Sequence, residues 1–381
     1  MSTKIAWLQP IWSHYHIARA KAFQKNNPDM DLVCLAISDI CGEVNASDWL
    51  VKDFCNLNHV VLFPGMAYLD LKPLQITKAV IEFVIKNKIN VLCLLGYSKR
   101  EIQQIAIGLR LIKPKLSLIL FSESKKDDFP RYWWKEKYKT KLLKCYNTAL
   151  VAGNIHKDYL MELGMNSDAI FLGYDVVENH TFNPNQIKKL PKPINDNYFF
   201  TVNRFIPRKN ILLIVSAYAA YKQKMGSLAW DLVLCGDGEL RPQIEQKIAE
   251  LNLQDVVHLP GFLQQKQLLP YFAHASCFIH GSITEQWGLV VNEAMAAGLP
   301  VLVSKTCGCF EELVIEGFNG FGFNPHNIEQ LTELMIDISQ DNFNLEQLRN
   351  NALKHIQKFS PDYFATGLKQ AINNAISYEY R

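Results

Sequence analysis

The chain has no apolar run near the roughly 18 residues that a membrane-spanning helix needs. It has no Cys-x-x-Cys pair among its nine cysteines and no large excess of charge of either sign. Each absence excludes something. Without a long apolar run, a spanning helix is not expected. Cysteines odd in number, with Cys34, Cys93, Cys235 and Cys277 inside apolar strand-like runs, read as reduced, buried thiols rather than a disulfide framework or a zinc site. Cys307-Gly-Cys309 comes nearest to a metal or redox pair, but one intervening residue is unusual for zinc, and a loop lining a cleft fits better. A formal charge of +3 is weak evidence for a polyanionic partner, so nucleic acid is not expected. The start, Met1 to Trp7, enters a strand pattern with no signal-peptide core, from which a cytoplasmic location is expected.

What is present is globular. Hydrophobic residues make up 49% and charged residues 20% of 381, a length that suggests two domains, each with its own core. Strand runs at Lys4 to Leu8, Leu32 to Ile37, His59 to Phe63, Val91 to Leu95 and Leu116 to Phe121 alternate with helical patterns such as Lys72 to Lys86 and Arg100 to Ile112. This predicts an α/β fold with parallel, doubly wound sheets and ligands at the carboxyl ends of the strands. Polar, proline-containing sequence marks a linker at 176–197, between a first domain at 1–175 and a second at 198–357, with a last helical segment at 358–381.

The second domain holds the most informative stretch, His280 to Ser304. A buried-strand run, Ser276 to Ile279, precedes it, and good helix formers follow from Val290 to Ala297, before Gly298-Leu-Pro300 and a short strand at Val301 to Val303. A helix starting near Gly288 aims the backbone N–H groups of Gly288, Leu289 and Val290 outward as donors for a phosphate or diphosphate. Glu285 and Glu293 flank that point, and carboxylates beside a diphosphate accept hydrogen bonds from sugar hydroxyls better than they tolerate phosphate oxygens. The site suggests a sugar on each side of a diphosphate.

Glu285, seven intervening residues and Glu293 resemble the Glu-x7-Glu motif of retaining glycosyltransferases of family 4, which have the GT-B fold: two Rossmann-like domains facing each other across a cleft, with a C-terminal helix crossing back. The resemblance implies that Glu285 holds the donor hexose and Glu293 the ribose of the nucleotide. It also matches Arg204 and Lys209 to a clamp on the donor diphosphate, and a strand-end Arg with a Lys beside it suits developing negative charge. Gly236-Asp237-Gly238 matches a turn near the donor, although a purely structural turn reads equally well. Gly261 falls where relatives border the base, and Gly317 to Gly322 matches a family glycine turn. The implied reaction moves a hexose from a UDP- or GDP-linked sugar to a hydroxyl of a glycan, lipid-linked saccharide or small-molecule acceptor. No cofactor and no metal are expected. A sugar-nucleotide epimerase or phosphorylase on the same fold, or a non-catalytic nucleotide-sugar-binding protein, remains open.

The first domain departs from the family pattern. Its first loop, Gln9 to His16, has a proline, aromatics and two histidines where the family has a glycine-rich loop. It reads either as acceptor lining, through His14 or His16, or as simple packing. Tyr97 and Glu123 follow later strands, and Glu123 is placed to receive or orient the proton of an acceptor hydroxyl, so Glu123, Glu285, Arg204 and Lys209 form the expected catalytic set. Lys125 to Lys144 interleaves basic residues with Tyr132, Trp133, Trp134 and Tyr138. It is either a peripheral contact with the inner face of a membrane or a solvated helix whose aromatics pack into its own domain.

Overall fold

The computed structural model describes residues 2–40 and 54–377. The chain divides into two units, Met1–Val177 with Phe359–Arg381, and Glu178–Lys358.

In the first unit, β1 (Thr3–Gln9), β2 (Met30–Ile40), β3 (Asn58–Ala67), β4 (Val91–Leu95), β5 (Ser117–Ser122), β6 (Thr148–Val151) and β7 (Ile170–Leu172) form one sheet. All the pairings are parallel, and the order is β3-β2-β1-β4-β5-β6-β7. The central strands β1, β4 and β5 are buried almost end to end, which is why they read as continuous apolar runs and not as an alternation. Helices Pro73–Lys86 and Arg100–Ile112 cover one face through Ile76, Val80, Val84, Ile102, Ile105 and Leu109. Strand side chains alternate between faces, so Trp7 and Phe121 point away from that core. They meet Phe364 of helix Pro361–Ser377, the Trp7 ring lying 5.1 Å from Phe364 and 5.4 Å from Phe121. The C-terminal helix is thus part of the first unit, with Thr148 Oγ1 donating to Ala371 O at 3.1 Å and Asn26 Nδ2 to Asp362 Oδ1 at 2.8 Å. Residues 378–381 of the expected final segment lie outside the described residues.

In the second unit, β8 (Tyr198–Val202), β9 (Asp231–Cys235), β10 (Val257–Gly261), β11 (Cys277–His280), β12 (Val301–Ser304) and β13 (Gly320–Phe323) make a second parallel sheet, ordered β10-β9-β8-β11-β12-β13. The expected glycine turn is found at Gly317 (φ 72°), whereas Gly320 and Gly322 belong to strand β13. Gly320 and Gly322 carry no side chain because a Cβ would run into the Val301 carbonyl and the Phe310 ring, so the glycines mark close packing inside a strand. The helical pattern from Ile328 onward is two helices, Ile328–Ser339 and Leu345–Ile356, separated where Asp341 and Asn344 take positive φ of 57° and 52°. Part of the expected linker is ordered: Asn179–Phe182 forms a 3-10 turn and Pro184–Ile187 a short helix, with Phe182 edge-on to Phe272 at 5.4 Å.

Each sheet reverses its winding once, between β1 and β4 and between β8 and β11, and the carboxyl ends at such a reversal are where open α/β sheets bind ligands. Around the second reversal the loops are stitched backbone to backbone. Asn203 N donates to Cys235 O (3.0 Å), Phe205 N to Asp237 O (2.8 Å) and Gly236 N to Gly261 O (2.8 Å). Gly236 sits at φ 139°, and a Cβ there would overlap Asn203 O. Gly236→Ala should therefore cost on the order of 3 kcal/mol, combining backbone strain with the clash. Gly226→Ala, at φ 59° and ψ −126° with open space around it, carries backbone strain without a clash and should cost about 1–2 kcal/mol. Thermal unfolding of the two variants against the parent checks the ranking.

Candidate functional site

The loop leaving β8 runs through Asn203, the exposed Arg204 and a 3-10 turn at Pro207–Lys209, and ends at Asn210 in the left-handed conformation (φ 59°, ψ 32°). Asn210 Nδ2 donates to Gly281 O at 3.2 Å and Pro325 O at 2.7 Å, and Ile283 N donates to Arg208 O at 2.8 Å, which fastens this loop to the one leaving β11. The fastening brings Lys209 and Glu285, 76 positions apart, into a direct ion pair. Glu285 Oε2 also accepts from Ser282 Oγ at 3.0 Å and lies 3.4 Å from His280 Nε2. Burial alone would raise the Glu285 pKa, but the His280 hydrogen bond and the Lys209 charge outweigh it and hold the carboxyl far below its ordinary range. His280 is wholly buried, and burial, with the charge of Lys209 adding to it, pushes its imidazole down against the opposing pull of Glu285.

Gly288, at φ 109°, ends the loop and caps helix Leu289–Ala296. A Cβ there would sit 3.2 Å from His280 Nε2 and 3.5 Å from Glu285 Cγ, so the helix entrance is crowded on that side and bare of side chain at its cap. Val291 N donates to Gly288 O at 2.8 Å as the first helical bond, which leaves the N–H groups at the first turn without intrahelical acceptors. The loop itself is braced by Gly308 N to Glu285 O (3.0 Å), Cys309 N to Trp287 O (3.2 Å) and the buried Trp287 Nε1 to Asn292 Oδ1 (2.9 Å). Cys307 and Cys309 are buried thiols inside this bracing, with Cys307 Sγ 3.9 Å from Ser282 O. Glu293 is buried in the helix.

The sequence assigned Lys209 to phosphate and Glu285 to sugar as separate groups, whereas the structure pairs them. Arg204 makes no ion pair among the described residues. Asp237 is exposed, its Oδ1 accepting from Gly238 N at 2.8 Å, and Gly236 and Gly238 allow the close approach of the Asn203–Phe205 backbone, which is the structural reading of that turn. Gly261 ends β10 at φ 84°. His280 and Ser282 were not singled out as partners of Glu285, although a histidine closing an otherwise apolar strand was a visible signal.

In the first unit the candidates separate. Ser13 N and Oγ lie 3.2 and 3.1 Å from His16 Nδ1, so His16 caps its own helix, His14–Asn26, with its ring edge-on to Trp7 and Trp12 at 5.9 Å. Burial, with the charge of Arg19 adding, lowers His14 to about 4 and His16 to about 3. Tyr97 is buried in the core with Ile102 and Tyr146, and Glu123 is half-buried after β5. The sequence reading passed over a buried polar cluster. Arg19 donates to Asp175 Oδ1 (3.2 Å) and Val176 O (3.1 Å) and lies over the Tyr174 ring at 5.0 Å, with Gln9 buried at the end of β1. Burial and the charge of Glu123 together raise the Tyr174 hydroxyl. Arg19 between Ala18 and Ala20 on a buried helical face was the available signal.

Across its whole length the chain has the GT-B architecture of known glycosyltransferase structures. It superposes on Anabaena HepE solved with UDP with a TM-score of 0.76 at 17% identity, covering 97% of this chain and 99% of that one. It superposes on a glycosyltransferase of Rickettsia africae with a TM-score of 0.75 at 15% identity, covering 98% of both. The model of the family glycosyl transferases group 1 matches residues 182–355, within the second unit. Curated relatives include the uncharacterized glycosyltransferase YqgM of Bacillus subtilis, 31% identical over 32% of this chain and 33% of that protein. The alpha-monoglucosyldiacylglycerol synthase of Acholeplasma laidlawii is 27% identical over 45% of this chain and 42% of that protein. The matched stretches span about half or less of those relatives.

Two outcomes follow from the electrostatics. Lys209→Met leaves an ionised carboxylate largely buried without its cation, and because the pair keeps some solvent contact the loss should be about 2 kcal/mol, below the usual range for a fully buried pair; urea unfolding measures it. His14 and His16 remain neutral in the folded chain down to about pH 4, whereas unfolded histidines protonate near 6.5, so stability is complete above pH 6.5 and falls as pH drops toward 4. His16→Asn retains a capping acceptor and should flatten that slope in urea titrations at pH 7.5 and 5.

Proposed function

We propose that this protein is a retaining glycosyltransferase of family 4. In this reading it moves a hexose from a UDP- or GDP-linked donor to a hydroxyl of a glycan, a lipid-linked saccharide or a small molecule. The observation that carries the reading is the Lys209–Glu285 pair at the winding reversal of the second sheet, directly ahead of Gly288 and the helix that bears Glu293. A cation and a helix N-terminus attract a diphosphate, and two buried carboxylates on either side accept hydrogen bonds from sugar hydroxyls. The UDP bound by Anabaena HepE supports a uridine donor.

The roles follow from the chemistry. Glu285 takes the hexose hydroxyls and Glu293 the ribose, while Gly236, Asp237 and Gly261 line the donor. As the anomeric C–O bond breaks, its electron pair leaves with the diphosphate. Arg204, Lys209 and the N–H groups of Leu289 and Val290 neutralise that charge in place of a divalent cation. Lys209 is then shared between Glu285 and phosphate, so the ion pair holds the lysine where the leaving group arrives. The acceptor oxygen forms the new bond, and its proton passes to Glu123 on the first unit, with His14 on the acceptor side.

Saturation-transfer NMR against UDP-, GDP- and ADP-sugars tests the donor half. One donor should bind, Glu293→Ala should lose its ribose contacts, and Arg204→Ala should weaken binding about tenfold to a hundredfold, the worth of a charge-assisted hydrogen bond. If no donor binds, the transferase reading fails. Glu123→Gln should lower turnover at least a hundredfold, the usual contribution of a positioned proton acceptor, with donor affinity unchanged. Epimer or sugar phosphate formed without an added acceptor would point to the other reactions this fold supports.

A further inference from the structure

The stretch from Lys125 to Lys144 left two readings, a membrane contact or a helix whose aromatics pack inward. The structure removes the second for most of the rings. Phe129 is 70% exposed, Tyr132 51%, Trp133 72% and Trp134 56%. Four large rings facing solvent within six residues form a concentrated apolar patch of the kind that marks an interaction surface.

These rings are fixed in place from behind. Helix Trp133–Leu143 is clamped to its unit by Leu142 and Leu143, both buried, and by a polar knot on its inner side. Lys139 Nζ donates to Glu136 Oε1 (2.7 Å) and to Tyr159 OH (2.8 Å), and Tyr159 OH donates to Glu136 Oε2 (2.7 Å). Arg131 lies over the Tyr159 ring at 4.5 Å and donates to Lys126 O at 2.6 Å, and Tyr138 OH donates to Gln103 Oε1 at 2.8 Å. The inner charges are thus spent on anchoring, and the exposed side chains of the helix itself are aromatic and cationic.

The outward lysines sit on the rings themselves. Lys135 Nζ is 4.8 Å from the Tyr132 centroid and 5.2 Å from Trp134, and Lys137 Nζ is 5.0 Å from Trp133. Lys141 and Lys144 are exposed further along. Residues 125–144 hold eight basic and three acidic side chains, a net +5, against +3 for the whole chain, so the rest of the chain carries −2. The positive excess of the protein is therefore concentrated at the site of its exposed tryptophans.

We propose that this face docks on an anionic lipid bilayer. Trp and Tyr settle at the headgroup level, where an apolar ring body and a polar edge are both satisfied, and long lysine stems leave their ammonium groups among the lipid phosphates. Phe129 and the two tryptophans need a hydrocarbon boundary, and the lysines stacked on them need anions at the same depth. A bilayer with acidic headgroups supplies both over a continuous surface. The proposal stands apart from the glycosyl-transfer reading, because it concerns only this surface.

The experiment is vesicle flotation of the full chain with phosphatidylcholine alone and with phosphatidylcholine containing phosphatidylglycerol, at low and high salt. Binding should require the anionic lipid and weaken with salt. Trp133→Ala with Trp134→Ala should abolish flotation. Reversing Lys135, Lys137 and Lys141 to Glu should weaken it by at least about a hundredfold, since each lysine near such a surface contributes about a fivefold factor. The same reversals at the exposed Lys224, Lys266 and Lys354 of the second unit should leave binding intact. Circular dichroism reports whether each variant is folded. Three outcomes overturn the proposal: no flotation of the folded parent chain, equal flotation with neutral lipid, or sedimentation showing a dimer that the tryptophan variant dissolves while vesicles go unbound.

Discussion

A carboxylate taken out of water stays ionised only if a cation and hydrogen-bond donors come with it. At the winding reversal of the second sheet, Glu285 has both, from Lys209, His280 and Ser282. Much of the local architecture serves that requirement. The left-handed Asn210 and the Ile283–Arg208 bond fix where Lys209 begins, Gly288 leaves room for His280, and the 305–309 loop braces the backbone of Glu285 and Trp287. A loop that could drift would leave charge unpaired, so the ion pair rigidifies the segment in which a ligand would find its donors and acceptors.

The second unit was legible in the sequence to an unusual degree because its chemistry is local. Glu285, Gly288 and Glu293 fall within nine residues of one strand–loop–helix unit, with Gly288 at the helix entrance and Glu293 inside the helix. What could not be read was whatever crosses between loops. No local pattern announces that Lys209 reaches Glu285, or that β13 is a strand whose glycines answer to Val301 and Phe310 on neighbouring elements. Propensity speaks for the residue and its sequence neighbours, and glycine argues for a turn until the packing around it is known.

In the first unit the architecture was legible and the site less so. The strand runs and the alternation of helices were clear from apolar patterning. His16, however, is occupied by its own helix cap and Tyr97 by the core, and a buried polar cluster, built on Arg19 and Asp175, joins positions 156 apart. A helix-capping histidine and a substrate-facing one look alike in sequence, because both sit in the first turn of a helix that follows a strand end.

The C-terminal helix has a consequence for how the chain reaches this state. Since Pro361–Ser377 completes the first unit, that unit is discontinuous, and the second, Glu178–Lys358, is topologically an insertion within it. During synthesis the inserted unit is finished while its host still lacks the helix that covers Trp7 and Phe121. The usual order, in which the N-terminal domain matures first, is therefore inverted. Until Phe364 leaves the ribosome, Trp7 and Phe121 lack the ring that packs against them in the finished unit.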